Sequence, residues 1–314
     1  MSQPRMSIPG GTYLVTRTTV LSLFLLVPSE EVNQILQYCF AWAARRNGIL
    51  IHAISVQINH YHAVVTDPDG KLSEFVQELN RCAARCLLEY YRDRFPRRRL
   101  ESLWTSSQSF GATLLVNANA VLDKILYTLI NPVKDGMVLD YREWPGFSTY
   151  PSDWRGGVRR VRRPSYYFKG TPEELEYQVD PPAQLDRGDV EGLIADVESH
   201  IRERQSEFAA TFAAEGRPFR GVEAVLAVDP FDSPSTLRPV GDINPQVAAG
   251  ADSEALKLAI GALRAFRSAY REAWQLFKKG VEAVFPGGTL LLRKRFGVQC
   301  GPLDAVYWCQ LAVT

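Results

Sequence analysis

Between residues 12 and 131, β-branched and aromatic runs alternate with amphipathic stretches in the order strand, helix, strand, strand, helix, strand, helix. The runs at 12–19, 49–57, 61–66 and 109–116 carry the side chains that pleated, half-buried backbone favours. The stretches at 29–46, 72–91 and 117–131 place apolar residues three and four apart instead. In the first of them Val32, Ile35, Leu36, Cys39 and Phe40 fall on one face. This βαββαβα order predicts an antiparallel sheet with helices packed on it, an α+β fold.

Two of the four histidines lie in the third strand, in Asn59-His60-Tyr61-His62-Ala63-Val64-Val65. Side chains alternate along a strand, so His60 and His62 project to one face, about 7 Å apart at a rise of ~3.3 Å per residue, while Tyr61 points to the other. Two imidazoles held this close on a rigid face can share a divalent metal. Two half-exposed rings at a sheet edge fit the same pattern.

Asn117 to Pro132 supplies a second element. Asn117 is placed to cap a helix, and Pro132 disfavours helical backbone at the residue before it. Val121, Leu122, Ile125, Leu126, Leu129 and Ile130 form its apolar face. Tyr127 and Asn131, four residues apart, share a face and offer a hydroxyl nucleophile beside an oxygen ligand. A tyrosine at the boundary of the core fits this position equally well.

Together these segments resemble the single-tyrosine HUH transposases, the REP-associated tyrosine transposases in particular, over roughly residues 9–150. The resemblance rests on Pro9-Gly10-Gly11-Thr12-Tyr13-Leu14-Val15-Thr16, on Asn59 to Val65, and on Tyr127-x-x-x-Asn131-Pro132-Val133-Lys134-Asp135-Gly136-Met137-Val138. Tyr61 is bulkier than the aliphatic residue common between the histidines, and Ile58 replaces a small residue or proline. The resemblance implies a ferredoxin-like core and a magnesium or manganese ion held by His60, His62 and Asn131. It also implies attack on DNA by Tyr127, through a 5′-phosphotyrosine intermediate. Its implied substrate is single-stranded or hairpin DNA, handled by a monomer or homodimer in the cytoplasm, at the nucleoid. A catalytically idle DNA-binding regulator of the same fold is the alternative. A replication initiator would ordinarily bring a helicase module, and a plain interaction protein would leave three ordered motifs unexplained.

Other histidine chemistries fit less well. A cupin-like site wants a glutamate four or five residues after His62, where Thr66 and Asp67 stand, and a His-x-His-x-His site would need histidine where Val64 is. The chain has no Walker-type Gly-x-x-x-x-Gly-Lys-Ser/Thr. Cys39, Cys82, Cys86, Cys300 and Cys309 show no disulfide framework, consistent with a reducing compartment. The apolar run at 20–27 is too short to span a bilayer, so no membrane partner is expected.

The formal net charge of +1 conceals a division. Residues 1–170 carry 21 Lys and Arg against 14 Asp and Glu, and the remainder carries 15 against 21. Arg92, Arg94, Arg97, Arg98 and Arg99 cluster at a helix end. Trp154, Arg155, Arg159, Arg160, Arg162, Arg163, Tyr166 and Tyr167 interleave cations with aromatics. Arginines neutralise phosphates and aromatic rings stack unpaired bases, so both runs are candidate DNA contacts; a solvated basic linker is the alternative reading of either.

These features suggest a transposase domain at 1–150, a basic-aromatic segment and linker at 151–187, and an accessory domain at 188–314. In the last, 190–214 and 253–284 read as helices, the former with Leu193, Ile194, Val197 and Ile201 inward. Residues 230–252 read as loop, and 287–298 with 305–313 as a closing β-hairpin.

Overall fold

Alternating burial along β-branched runs sets the architecture. The computed structural model describes residues 4–105, 110–235 and 246–303. The first half comprises β1 (Gly11–Thr18), α1 (Glu30–Asn47), β2 (Leu50–Val56), β3 (His60–Asp67), α2 (Leu72–Arg94), β4 (Gly111–Leu115), α3 (Ala118–Leu129) and α4 (Asn131–Lys134). Next come β5 (Val158–Arg162), β6 (Glu174–Gln178), α5 (Val190–Ala214), α6 (Val222–Leu226) and β7 (Val247–Ala248). The last elements are α7 (Ser253–Lys278), β8 (Val284–Phe285), α8 (Leu290–Phe296) and β9 (Gln299–Cys300).

The main sheet has the order β2-β3-β1-β4-β7, with β1 antiparallel to both β3 and β4, and β2 antiparallel to β3. The fold is therefore α+β, as the pattern of elements predicts. The sheet is mixed rather than wholly antiparallel, because β7 joins β4 in parallel from the segment expected to be loop.

The two faces of the sheet have different roles. Tyr61, fully buried, packs edge-on against Phe40 of α1 at 5.3 Å and Trp104 at 5.8 Å between ring centroids. His62, the next residue, meets Tyr127 of α3. Alternation thus puts α1 and α2 on one face and α3 on the other.

Local chemistry explains the helix ends. Ser29 caps α1 by accepting from the Val32 amide, and Gly48 closes it in the left-handed region at φ 68°, where a side chain would be strained. Asn117 caps α3 through the Ala120 amide at 2.8 Å. All five residues assigned to the inner face of α1 are buried.

Three expectations for the later chain need correction. The supposed linker at 171–187 contains β6, which pairs with β5 so that Val161 faces Leu175 and both are buried. Helix α7 stops at Lys278 rather than 284, with Gly280 at φ 71° just beyond it. Residues 290–296 are helical, not a hairpin strand: Leu, Arg and Lys favour helix and Gly297 caps it at φ 63°. The other proposed strand, 305–313, lies outside the described residues. Among the described residues no helix is long and apolar enough to cross a membrane.

Candidate active site

His60 opens β3 opposite Thr18 of β1, and His62 sits between Thr16 of β1 and Ser55 of β2. Directly opposed residues project to the same side of a sheet, so hydroxyl side chains flank both imidazoles. The rings lie 4.8 Å apart between centroids at an interplanar angle of 83°. His62 is buried and His60 half-buried.

Helix α3 covers this face. The Tyr127 ring meets His62 edge-on at 5.0 Å, which brings the tyrosine to the histidine pair. The helix breaks at Ile130 and resumes at Asn131 with Pro132 in its first turn. Asn131, one turn beyond Tyr127, is 2 % exposed, and its Oδ1 is buried with no hydrogen-bond partner. A buried carbonyl oxygen left in that state costs free energy unless a donor or a cation meets it. Among the described residues no cluster of three or more His, Cys, Asp or Glu side chains forms a metal site. Two neutral nitrogens and an amide oxygen are a donor set suited to a divalent ion whose remaining positions are filled by oxygen.

Two lysines frame Tyr127. Lys134 Nζ lies 4.4 Å and Lys124 Nζ 5.6 Å from the ring centroid. Asp123 binds Lys124 at 2.9 Å and Arg204 of α5 at 2.9 Å. Burial alone would raise the Asp123 carboxyl, but the hydrogen bonds from Lys124 and Arg204 outweigh it and hold the group below the usual carboxylate range. Neither lysine was assigned a role from the sequence, although Lys124 stands three residues before Tyr127 and Lys134, within the quoted motif, seven after it.

The second basic run is built differently from what its composition suggests. Trp154 is 3 % exposed and donates its indole N–H to the His52 carbonyl at 3.1 Å, so its ring is core and offers no face to a base. Arg159 forms a two-pronged pair with Asp153 at 2.7 and 3.0 Å and also donates to the Ser148 carbonyl. Arg155 pairs with Glu191, Arg160 with Glu176, and Arg163 donates to the Thr171 carbonyl. Arg162 is exposed. Tyr166 packs against Tyr90, and Tyr167 accepts from Arg81 with Arg85 near its ring. The β5–β6 pair carrying this run packs on α1, across the sheet from Tyr127.

The first run lies at the end of α2 and in the segment that follows it. Arg92, Arg94, Arg97, Arg98 and Arg99 are all exposed, the last two lying near Asp229 and Glu101. The chain after them returns to β1, where Thr19 bridges Trp104 and the Val20 amide donates to the Leu103 carbonyl. Thr19 directly follows the residue opposite His60.

The model of the family described as "Transposase IS200 like" matches residues 26–121, a span that includes both histidines and ends six residues before Tyr127. No curated protein matches the chain. Among solved structures, a REP-associated tyrosine transposase bound to a REP hairpin is 23% identical, over 55% of this chain and 94% of that one, with a TM-score of 0.40. A candidate transposase from Deinococcus radiodurans is 20% identical, over 36% of this chain and 84% of that one, with a TM-score of 0.26. The similarity to the IS200-like transposase family therefore lies in residues 26–121, under a third of the chain.

Proposed function

We propose that this chain is a metal-dependent transesterase that cleaves and rejoins single-stranded DNA through Tyr127. The observation that carries the reading is the meeting of Tyr127 with His62 beside His60, one helical turn from the unsatisfied Asn131 Oδ1. The unit from β1 to β4 is read as ferredoxin-like, with the site on its α3 face and the catalytic part within residues 1–150. The basic-aromatic segment at 151–187 and the accessory region at 188–314 complete the proposed organisation.

His60, His62 and Asn131 would hold magnesium or manganese. When bound, such an ion polarises a phosphate oxygen and spreads the charge that develops at phosphorus. The phenol oxygen of Tyr127 attacks the phosphorus as its proton departs. A tyrosyl O–P bond forms, the P–O3′ bond breaks, and the released 3′ oxygen takes up a proton. A free phenol titrates near ~10 and is a weak nucleophile at neutral pH, so the cations around Tyr127 favour the charge it gains as it reacts. The phosphotyrosyl ester retains the bond energy, so another 3′-hydroxyl can reverse the step without a nucleotide cofactor.

The proposed substrate, a single strand bearing a hairpin, follows from the family resemblance. Exposed Arg92, Arg94, Arg97, Arg98 and Arg99, on a segment tied to the His60 end of the sheet, are the favoured phosphate contacts. Incubation with a hairpin-bearing strand labelled at its 3′ end, with and without manganese, tests the proposal. Label should move onto the protein only with the metal, and cleavage without transfer to protein would overturn the covalent mechanism.

A further inference from the structure

We infer that Asn59 is a positioning residue that fixes the tautomer of His60, keeping the ring proton on Nδ1 and the lone pair on Nε2. Its purpose rests on the metal-site reading above; its geometry does not.

His60 Nδ1 lies 2.7 Å from Asn59 Oδ1. An amide oxygen only accepts, so in the neutral ring the hydrogen between them belongs to Nδ1. Turning the amide over would undo this, but its Nδ2 donates to the Ser22 carbonyl at 3.2 Å. The reversed amide would set two carbonyl oxygens against each other and two donors toward His60. The Asn59 backbone is tied down as well, its carbonyl accepting from the Thr19 amide at 2.9 Å.

The Ser22 carbonyl is presented by an unusual turn. Leu21 and Ser22 both occupy the left-handed region, at φ 51° and 56°, which is costly for residues other than glycine. Leu21 is 75% exposed, so packing of its side chain does not compensate. Strain of this kind is held where the surroundings over-determine the backbone, and here the turn delivers an acceptor to the amide that orients His60. An imidazole whose outer nitrogen is held by a fixed acceptor has one orientation and one coordinating nitrogen.

Long-range ¹H–¹⁵N correlation of the metal-free, full-length chain labelled at histidine tests the inference, with His60 assigned by comparison with His60→Gln. The native ring should carry its proton on Nδ1. Asn59→Leu, similar in size but with no acceptor, should release that tautomer preference and weaken binding of manganese alone about ten- to a hundredfold, read by electron paramagnetic resonance. Asn59→Asp keeps an acceptor and should retain both the tautomer and manganese affinity within about tenfold. A native ring protonated on Nε2 overturns the inference, as does an Asn59→Leu variant that keeps the Nδ1 proton. Should Asn59→Leu fail to fold, the native spectrum and Asn59→Asp still decide. A native chain with the Nδ1 proton that binds no manganese supports the tautomer assignment and defeats the metal reading.

Discussion

Under the proposed mechanism, stability and function pull apart within the single side chain of Asn131. Its Oδ1 is buried with no partner, so the fold carries the desolvation cost. Asn131→Leu removes that oxygen at similar volume and should leave thermal stability unchanged or raise it by about 1 kcal/mol. The same variant should lose manganese binding, measured by titration of the metal alone. A large loss of stability instead would show that the amide serves packing. Lys134 gives a second test at this scale, since its ammonium lies 4.4 Å from the Tyr127 ring centroid. Lys134→Met should slow adduct formation by roughly tenfold or more, as expected when one charge-stabilising group is removed, and Lys134→Arg should recover part of it.

At the scale of elements, His52 ties β2 to β3 and to the chain just after β6. Its Nδ1 donates to the Asp180 carbonyl and its Nε2 accepts from Thr66, each at 2.8 Å. Burial lowers the His52 pKa to about 4. Since the folded value lies below the unfolded value of ~6.5, stability is fully present above that pH and is lost as pH falls toward 4. The expected loss is about 3 kcal/mol across that window, and His52→Gln should flatten the pH dependence of denaturant unfolding. Trp154→Ala, which removes a buried indole bonded to His52, should cost about 3–5 kcal/mol. The paired histidines with Tyr61 opposite them, the α1 core face and the Asn117 cap were all legible, because period-two and helical spacing report orientation directly. What opposes each arginine was not. Asp153, Glu176 and Glu191 stand 6, 16 and 36 residues from their partners Arg159, Arg160 and Arg155, and only the folded chain brings them together. The strained turn at Leu21 and Ser22 was equally invisible, since neither residue type signals a left-handed backbone.

Across the whole molecule, a basic first half meets an acidic second half, and many of the cations are already neutralised at that junction or within their own segment. DNA affinity should therefore depend on exposed arginines rather than on arginine count. Replacing Arg92, Arg94, Arg97 and Arg99 with glutamine should weaken binding to a single strand. It should also flatten the plot of log affinity against log salt by about 0.7 for each phosphate that the protein no longer neutralises. Arg159→Gln should leave that slope unchanged and lower stability instead, because its partly buried pair with Asp153 is broken. The most direct measurement is mass spectrometry of the protein–DNA product formed with a hairpin-bearing strand and manganese, compared between the native chain and Tyr127→Phe. A phosphonucleotide mass on the peptide bearing Tyr127 is expected in the native chain. The phenylalanine variant should remain folded and DNA-bound but form no adduct, and an adduct on any other residue, or one that persists in Tyr127→Phe, would contradict the assignment.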